Sequence, residues 1–345
     1  MVRYGRRVAD RPLPSRRDLL RFSLGLALLS STGLSGCTFS NPTIDSPGRP
    51  SGSATPNASG TPRPTPAPTP TVAPASRSSA NRERGLAALA AAIISGRQGK
   101  ALNKDQRTLL RSVRAAHRSH ADALDPDGPP AKAAKISDLS LPQALSLLAR
   151  REAAAAKAHR KTALTSSGLH ALLLGSMSVA AAGFAGAVTD SSPPSVGAAE
   201  YRPPPLLSDV EAVQALVGQL HAVVYGYQLA IGQMPVSSGP HGRAVRELRS
   251  TRVERDRLIA WLKRRKADIP AAEAAYVPTV VPRDGASAAK LIRTMHVALL
   301  PFYGQWLAAA GDADRKRALT MFTSAAGRAD SWNAPLAAWP GYPQS

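Results

Sequence analysis

Apolar side chains recur at spacings of three and four residues from about residue 82 onward, and no segment alternates with a period of two for long. The pattern is clearest after Ser208, where its members are Val210, Val213, Val217, Leu220, Val224, Tyr227 and Ile231. This spacing puts apolar residues on one face of a helix, and that face must pack against other helices. The sequence therefore predicts an all-α fold.

Breaks rich in Gly and Pro divide the helical region into two halves. Four helices are predicted in the first half, near residues 82–97, 103–124, 140–164 and 167–188. In the second half, one helix is predicted after Ser208-Asp209, with an apolar seam over 210–231, a second over 239–266, a third with a seam over 288–306, and a fourth over about 312–332. We expect an N-terminal helical bundle over 81–190 and a ferritin-like antiparallel four-helix bundle over 205–335. The uncharged run 171–188 approaches the length of a membrane span, but its many Gly and Ala residues favour a buried bundle helix.

The first 80 residues predict an export signal followed by a tether. Arg16 and Arg17 precede an apolar run that ends in Leu34-Ser35-Gly36-Cys37. This order is typical of a twin-arginine export signal with a lipoprotein cleavage site. We expect a signal peptide over 1–36 and a lipid (palmitate among its chains) on Cys37, the only cysteine. The protein would be anchored at the extracytoplasmic face of the cell membrane. Residues 37–80, rich in Pro, Ser and Thr, predict a disordered tether.

The chain has a formal net charge of +21. For an exported protein, this charge favours anionic lipids or acidic wall polymers as partners, and not nucleic acid; the alternative is a basic surface that is only solvated. Envelope proteins are further candidate partners. The second predicted helix of the second half has an arginine at every third position, at Arg246, Arg249, Arg252 and Arg255. Guanidinium groups bind phosphate and carboxylate as bidentate forks. These arginines are therefore candidate anion-binding residues; the alternative is a solvated helix face with Glu and Asp partners.

Four residues of the first half are candidate metal ligands. His117 and His120 lie three residues apart on one predicted helix, and Glu152 and His159 lie seven apart on the next. Imidazole and carboxylate groups both bind first-row transition metals. The alternative is that His117 and His120 belong to the solvated face of a cationic helix. No catalytic residue is predicted, because the one thiol is assigned to the lipid and neither a Gly-x-Ser-x-Gly elbow nor a phosphate loop is present.

Several motifs of the second half resemble an uncharacterised family of actinobacterial ferritin-like proteins. They are the run His221-Ala222-Val223-Val224-Tyr225-Gly226-Tyr227, the arginine-rich helix, the connection Ile269-Pro270 to Tyr276-Val277-Pro278, and the last helix ending at Trp332. The resemblance covers about 206–334. The segment 116–120 is also similar to what precedes this domain in such lipoproteins. The resemblance implies a ferritin-like four-helix bundle and no particular activity.

The second half does not offer the ligands of a ferritin-type di-iron centre. Such a centre takes a Glu from each of two helices and a Glu-x-x-His from each of the other two. Here Leu220 precedes His221 where the relatives have Glu, and no Asp or Glu lies between Ala286 and Ala310. We expect Glu247 and Glu254 to pair with neighbouring arginines.

The sequence therefore favours a membrane-anchored protein with a non-catalytic binding or scaffolding role and no resident cofactor besides its lipid. Metal binding by the first half and anion binding by the arginine-rich helix are the alternatives.

Overall fold

The computed structural model describes residues 73–343, apart from residues 133 and 199. The predicted signal peptide with Arg16 and Arg17, the predicted lipid site Cys37 and most of the predicted tether lie outside the described residues. Within that range the chain forms eight α-helices, and its β-type pairing is an isolated bridge between Val196 and Leu336. The all-α prediction is confirmed. The helices are α1 (Pro74–Ser95), α2 (Lys104–Leu124), α3 (Leu141–Leu164), α4 (Gly168–Ala187), α5 (Asp209–Ile231), α6 (Gly239–Arg264), α7 (Gly285–Ala309) and α8 (Asp312–Ser331).

The helix boundaries follow local signals in the sequence. Capping boxes at Asn103, Ser140 and Ser208 begin α2, α3 and α5, because the side chains of each box satisfy backbone N–H groups that the helix itself leaves without a partner. α1 begins at Pro74, so residues 74–80 are helical and not part of a tether as predicted. Proline suits the first turn of a helix, and no further proline follows within α1.

The two halves of the chain repeat one arrangement of helices. In the first, α1 packs against α2 and α3, and α3 packs against α4; in the second, α5 packs against α6 and α7, and α7 packs against α8. The halves meet where α4 packs on α7 and α8, and where α3 reaches α8. A single cluster of buried apolar residues runs through both halves. They therefore form one body around one continuous core.

Helix α4 lies at the junction of the two halves. Among the described residues it is the one helix long and apolar enough to cross a membrane, and 67 % of its apolar window is buried within the chain. A Cβ at Gly175 would overlap the side chain of Leu307 on α7, so glycine permits this close approach. α4 packs as a core helix, which is the role that its Gly and Ala content favours.

The segment after α8 folds back onto the connection between the two halves of the chain. Leu336 exchanges backbone hydrogen bonds with Ser195 and Gly197, and Trp339 and Tyr342 are each only 1 % exposed. Gly341 has a φ of +85°. A Cβ on Gly304 of α7 would overlap the carbonyl oxygen of Gly341. This C-terminal tail, residues 333–343, lies mostly beyond the predicted end of the second bundle at 335.

Candidate metal centre

Five ionisable side chains meet in the interior of the first half. They are Glu83 from α1, His117 and His120 from α2, and Glu152 and His159 from α3. Each of the five is at most 1 % exposed. Burial of so many ionisable groups is costly unless they pair with one another or bind a metal.

Helical periodicity explains why these polar side chains point inward. In α2 the two histidines continue the buried series Leu110, Val113, His117, His120 and Leu124. In α3 the series is Leu145, Leu148, Glu152, Ala155 and His159. Both series alternate steps of three and four residues, so every member faces the same side of its helix. The polar residues therefore occupy positions that apolar residues would otherwise fill.

Glu83 is the hub of the cluster. Its Oε2 lies 2.7 Å from His117 Nδ1 and 2.8 Å from His120 Nδ1, while its Oε1 lies 2.7 Å from His159 Nε2. One ligand atom each from Glu83, His117 and His120 lie within 4.8 Å of one another. Three imidazoles thus converge on one buried carboxylate.

Glu152 extends the cluster on the far side of His117. Its Oε1 lies 2.7 Å from His117 Nε2, so this imidazole is held between two carboxylates. The other oxygen of Glu152, Oε2, is buried without a hydrogen-bond partner, as is Nδ1 of His159. Buried polar atoms normally have a partner. Two ligand-type atoms of the cluster therefore retain unused bonding capacity.

The cluster perturbs the pKa values of its members. Burial by itself would raise the pKa of Glu83, but the charge of His117 and the hydrogen bonds from all three imidazoles hold it well below its usual range. Burial would lower the pKa of His117, but Glu152 and Glu83 raise it to about 10. The pKa of Glu152 is raised, chiefly by burial. Without a metal, the cluster therefore holds a carboxylate at Glu83 beside an imidazolium at His117.

The C-terminal tail of the second half contacts the cluster directly. The carbonyl oxygen of Ala338 lies 2.8 Å from His120 Nε2, and the ring of Trp339 lies edge-on to His120 with centroids 4.4 Å apart. Trp339 also donates its indole N–H to Ser119 Oγ at 3.1 Å. Because a carbonyl can only accept, Nε2 of His120 donates in this contact, and Nδ1 is the ring nitrogen that faces Glu83. Backbone acceptors orient metal-binding histidines in this way.

The structure brings together all four predicted metal-ligand candidates, namely His117, His120, Glu152 and His159. The alternative of a solvated face is wrong for His117 and His120, because both are buried. Glu83 was not among the predicted ligands; it lies between Arg82 and Arg84 near the predicted start of the first helix. A signal was present, since Glu83 falls in the buried series Ala80, Glu83, Ala87 and Ala90.

The second half has its own internal polar network, which corrects the prediction for Glu247 and Glu254. Neither pairs with a neighbouring arginine of α6. Glu247 Oε2 accepts hydrogen bonds from Tyr227 at 2.8 Å and Trp332 at 2.7 Å, and Glu254 accepts from Tyr303 and Arg328. The two glutamates are seven residues apart, so both face the interior, where these longer side chains reach them.

The four predicted anion-binding arginines do not converge. Arg246, Arg249 and Arg252 are exposed, and Arg255 pairs with Asp256 at 2.8 Å. A repeat of three residues falls short of a helical turn, so successive side chains drift around α6. Of the four, Arg249 alone lines a cleft between α6 and α8.

A DUF4439 domain of unknown function is found at residues 212–344. No curated protein and no solved structure matches the chain. The domain extends from α5 to the tail, so all five residues of the metal-type cluster precede it. The tail, through Ala338 and Trp339, joins the domain to the cluster.

Proposed function

We propose that the first half of this protein binds one divalent first-row transition metal ion through the buried cluster. The observation that carries the proposal is the convergence of three imidazoles on the carboxylate of Glu83 at 2.7–2.8 Å, closed to solvent. A metal ion would replace the protons shared among these groups. The buried Oε2 of Glu152, which lacks a hydrogen-bond partner, adds to the donors available.

The donor set favours a particular class of metal. It consists of imidazole nitrogens and carboxylate oxygens without a thiolate, which suits Zn²⁺, Fe²⁺ or Mn²⁺ better than Cu⁺. Mg²⁺ and Ca²⁺ prefer oxygen ligands alone. Two glutamates are fewer carboxylates than a ferritin-type pair of metals requires, and the sequence of α4 contains no Asp or Glu. We therefore propose one ion and not two.

The closed surroundings of the cluster favour a structural role for the metal over catalysis. Structural metal sites are fully enclosed by protein ligands, whereas catalytic sites keep a position open for substrate. With exposures of 0–1 %, the ligands are reached only before the helices close, so the ion would bind during folding. Twin-arginine export, which carries folded cargo, would accommodate such loading before translocation.

Metal analysis after refolding tests the proposal. The chain without residues 1–37 is unfolded with a chelator, refolded with Zn²⁺, Fe²⁺ or Mn²⁺ in separate samples, dialysed, and measured by mass spectrometry of the elements. We expect about one ion per chain for at least one metal, with a higher melting temperature. An ion present at 1,000 times its Kd would add about 4 kcal/mol of stability.

A matched pair of histidine variants identifies the site. His159→Ala removes a cluster ligand, whereas His241→Ala removes a histidine from the first turn of α6, outside the cluster. We expect the first variant to lose the ion and the second to retain it. Refolded wild-type chain without bound metal, or equal retention by both variants, would show that the cluster is only a hydrogen-bonded core.

We also propose that Cys37 anchors this metal-binding protein to the outer face of the cell membrane. The proposal is supported by the order of Arg16, Arg17, the apolar run and Cys37 in the sequence. Labelling with a palmitate analogue, with Cys37→Ser as the control, tests it. We expect label and membrane association in the wild type and neither in the variant; a labelled variant would refute the assignment.

A further inference from the structure

A cationic cleft of about 800 Å³ lies between α6 and α8 in the second half of the chain. Its basic lining comprises Arg249 and Arg257 from α6, and Lys316, Arg317 and Arg328 from α8. The hydroxyls of Ser250, Thr320 and Ser324 line the same cleft. Two helices thus direct positive charge and hydrogen-bond donors towards one concave surface.

The positive charge of this cleft is poorly compensated. Across the described ranges, no ion pair involves Arg249, Arg257, Lys316 or Arg317, although other arginines of α6 and α8 do pair. The one carboxylate in the lining, Glu254, is already bonded to Tyr303 and Arg328. The Nε of Arg328 is buried without a hydrogen-bond partner. The cleft therefore has an excess of donors suited to an anion.

The same cleft also exposes apolar surface. Val253 is 49 % exposed, among the few large apolar side chains in the described chain that are this accessible, and it lines the cleft together with Met321. A free inorganic anion would gain nothing from these two side chains. An amphiphile, whose phosphate is joined to an apolar part, would contact both kinds of surface.

We infer that this cleft binds the phosphate headgroup of an anionic phospholipid. Arg249, Arg257, Lys316 and Arg317 would hold the phosphate, and Val253 with Met321 would contact the glycerol and upper acyl region. Arginine forks are well matched to phosphate oxygens. The inference does not depend on the metal site, which lies in the other half of the chain.

Vesicle binding with charge-matched variants tests the inference. The chain without residues 1–37 is mixed with phosphatidylglycerol–phosphatidylcholine vesicles at about 0.1 M salt, where the Debye length is about 10 Å, and binding is measured by flotation. Arg249→Gln with Arg257→Gln removes two charges from the cleft. Arg252→Gln with Arg264→Gln removes two exposed charges of α6 that are not in the cleft lining. Circular dichroism verifies the folding of both.

The expected result is a loss of affinity specific to the cleft pair. Because each basic residue near an anionic surface contributes to membrane attraction, loss of the cleft pair should weaken binding roughly thirtyfold. The control pair should weaken it much less. Equal losses for the two pairs would attribute binding to net charge and overturn the inference, as would equal binding to vesicles of phosphatidylcholine alone.

Two further arms separate a lipid from a free anion. Val253→Ser leaves the charge unchanged and is expected to weaken vesicle binding several-fold, because it removes apolar contact with the lipid. Inorganic phosphate is added as a competitor and is expected to leave most of the binding intact at 10 mM. Unchanged binding by Val253→Ser, or full displacement by inorganic phosphate, would overturn the assignment to a phospholipid.

Discussion

The substitution Glu83→Gln in the metal-free chain probes the buried cluster most directly. Glutamine keeps the size and shape of the side chain but removes the negative charge on which three imidazoles converge. It also places a donor amide where Glu83 only accepts. His117, whose pKa is raised to about 10 by Glu152 and Glu83, would then lose one of its two carboxylate partners.

The expected destabilisation is large because the partners are buried. Removing one member of a buried ion pair typically costs about 3–5 kcal/mol, since the remaining charge is left uncompensated. With an unfolding entropy of about 2.1 cal/mol/K per residue, this corresponds to a fall in melting temperature of about 5–9 °C for a body of about 270 residues.

Thermal unfolding followed by circular dichroism, in the presence of a chelator at pH 6, measures this effect. Glu273→Gln is the matched control, because Glu273 is exposed in the connection between α6 and α7. We expect the control to stay within about 1 °C of the wild type, as surface substitutions usually do. A Glu83→Gln chain that melts within about 2 °C of the wild type would refute the view that Glu83 is the hub of the cluster.

The pH dependence of stability provides an independent check on the same residues. The raised pKa of His117 contributes stability that is fully present below pH 6.5 and is lost as the pH rises towards about 10. The lowered pKa of Glu83 contributes stability present above pH 4.5 and lost on further acidification. Together, these two residues should therefore stabilise the metal-free wild type most between about pH 4.5 and pH 6.5, and Glu83→Gln should flatten both slopes. Equal slopes in the two chains would contradict this.

Three further predictions concern the C-terminal tail, the metal and the internal polar network of the second half. Gly304→Ala should displace the tail, because the new Cβ would overlap Gly341. The displaced tail would no longer offer the Ala338 carbonyl that orients His120, so metal binding should weaken roughly tenfold or more in a chelator competition assay. Unchanged affinity would argue against an orienting role. The metal-bound chain should release its ion on dialysis at pH 4 and keep it at pH 7, because protons compete for imidazole and carboxylate ligands. Elemental analysis measures the retained ion, and retention at pH 4 would contradict imidazole ligation. Glu254→Gln should lower the melting temperature by several degrees, because it removes the charge that faces the mostly buried Arg328. Calorimetry showing no change would mean that the pair contributes little.

The local structure of this protein could be predicted from its sequence because the signals are local. Spacings of three and four residues, with Asn103, Ser140 and Ser208 as caps, place the eight helices with errors of a few residues at most ends. The largest error is at α1, where the predicted tether continued past Pro74. Composition marks proline-rich segments well, but it does not mark the residue at which a helix begins.

Which polar side chains meet in the interior was decided by tertiary structure. His117, His120, Glu152 and His159 were candidates from spacing alone, and the choice between a solvated and a buried face needed the packing of α1 against α2 and α3. In the sequence, Glu83 is one charge between two arginines, and only the packing of α1 against α2 and α3 places it at the centre of the cluster.

The tail lies far outside the reach of any periodic pattern, because Ala338 and His120 are 218 residues apart in sequence. Helix periodicity reports only which residues share a face, whereas the identity of the facing helix depends on how the whole chain closes around its core.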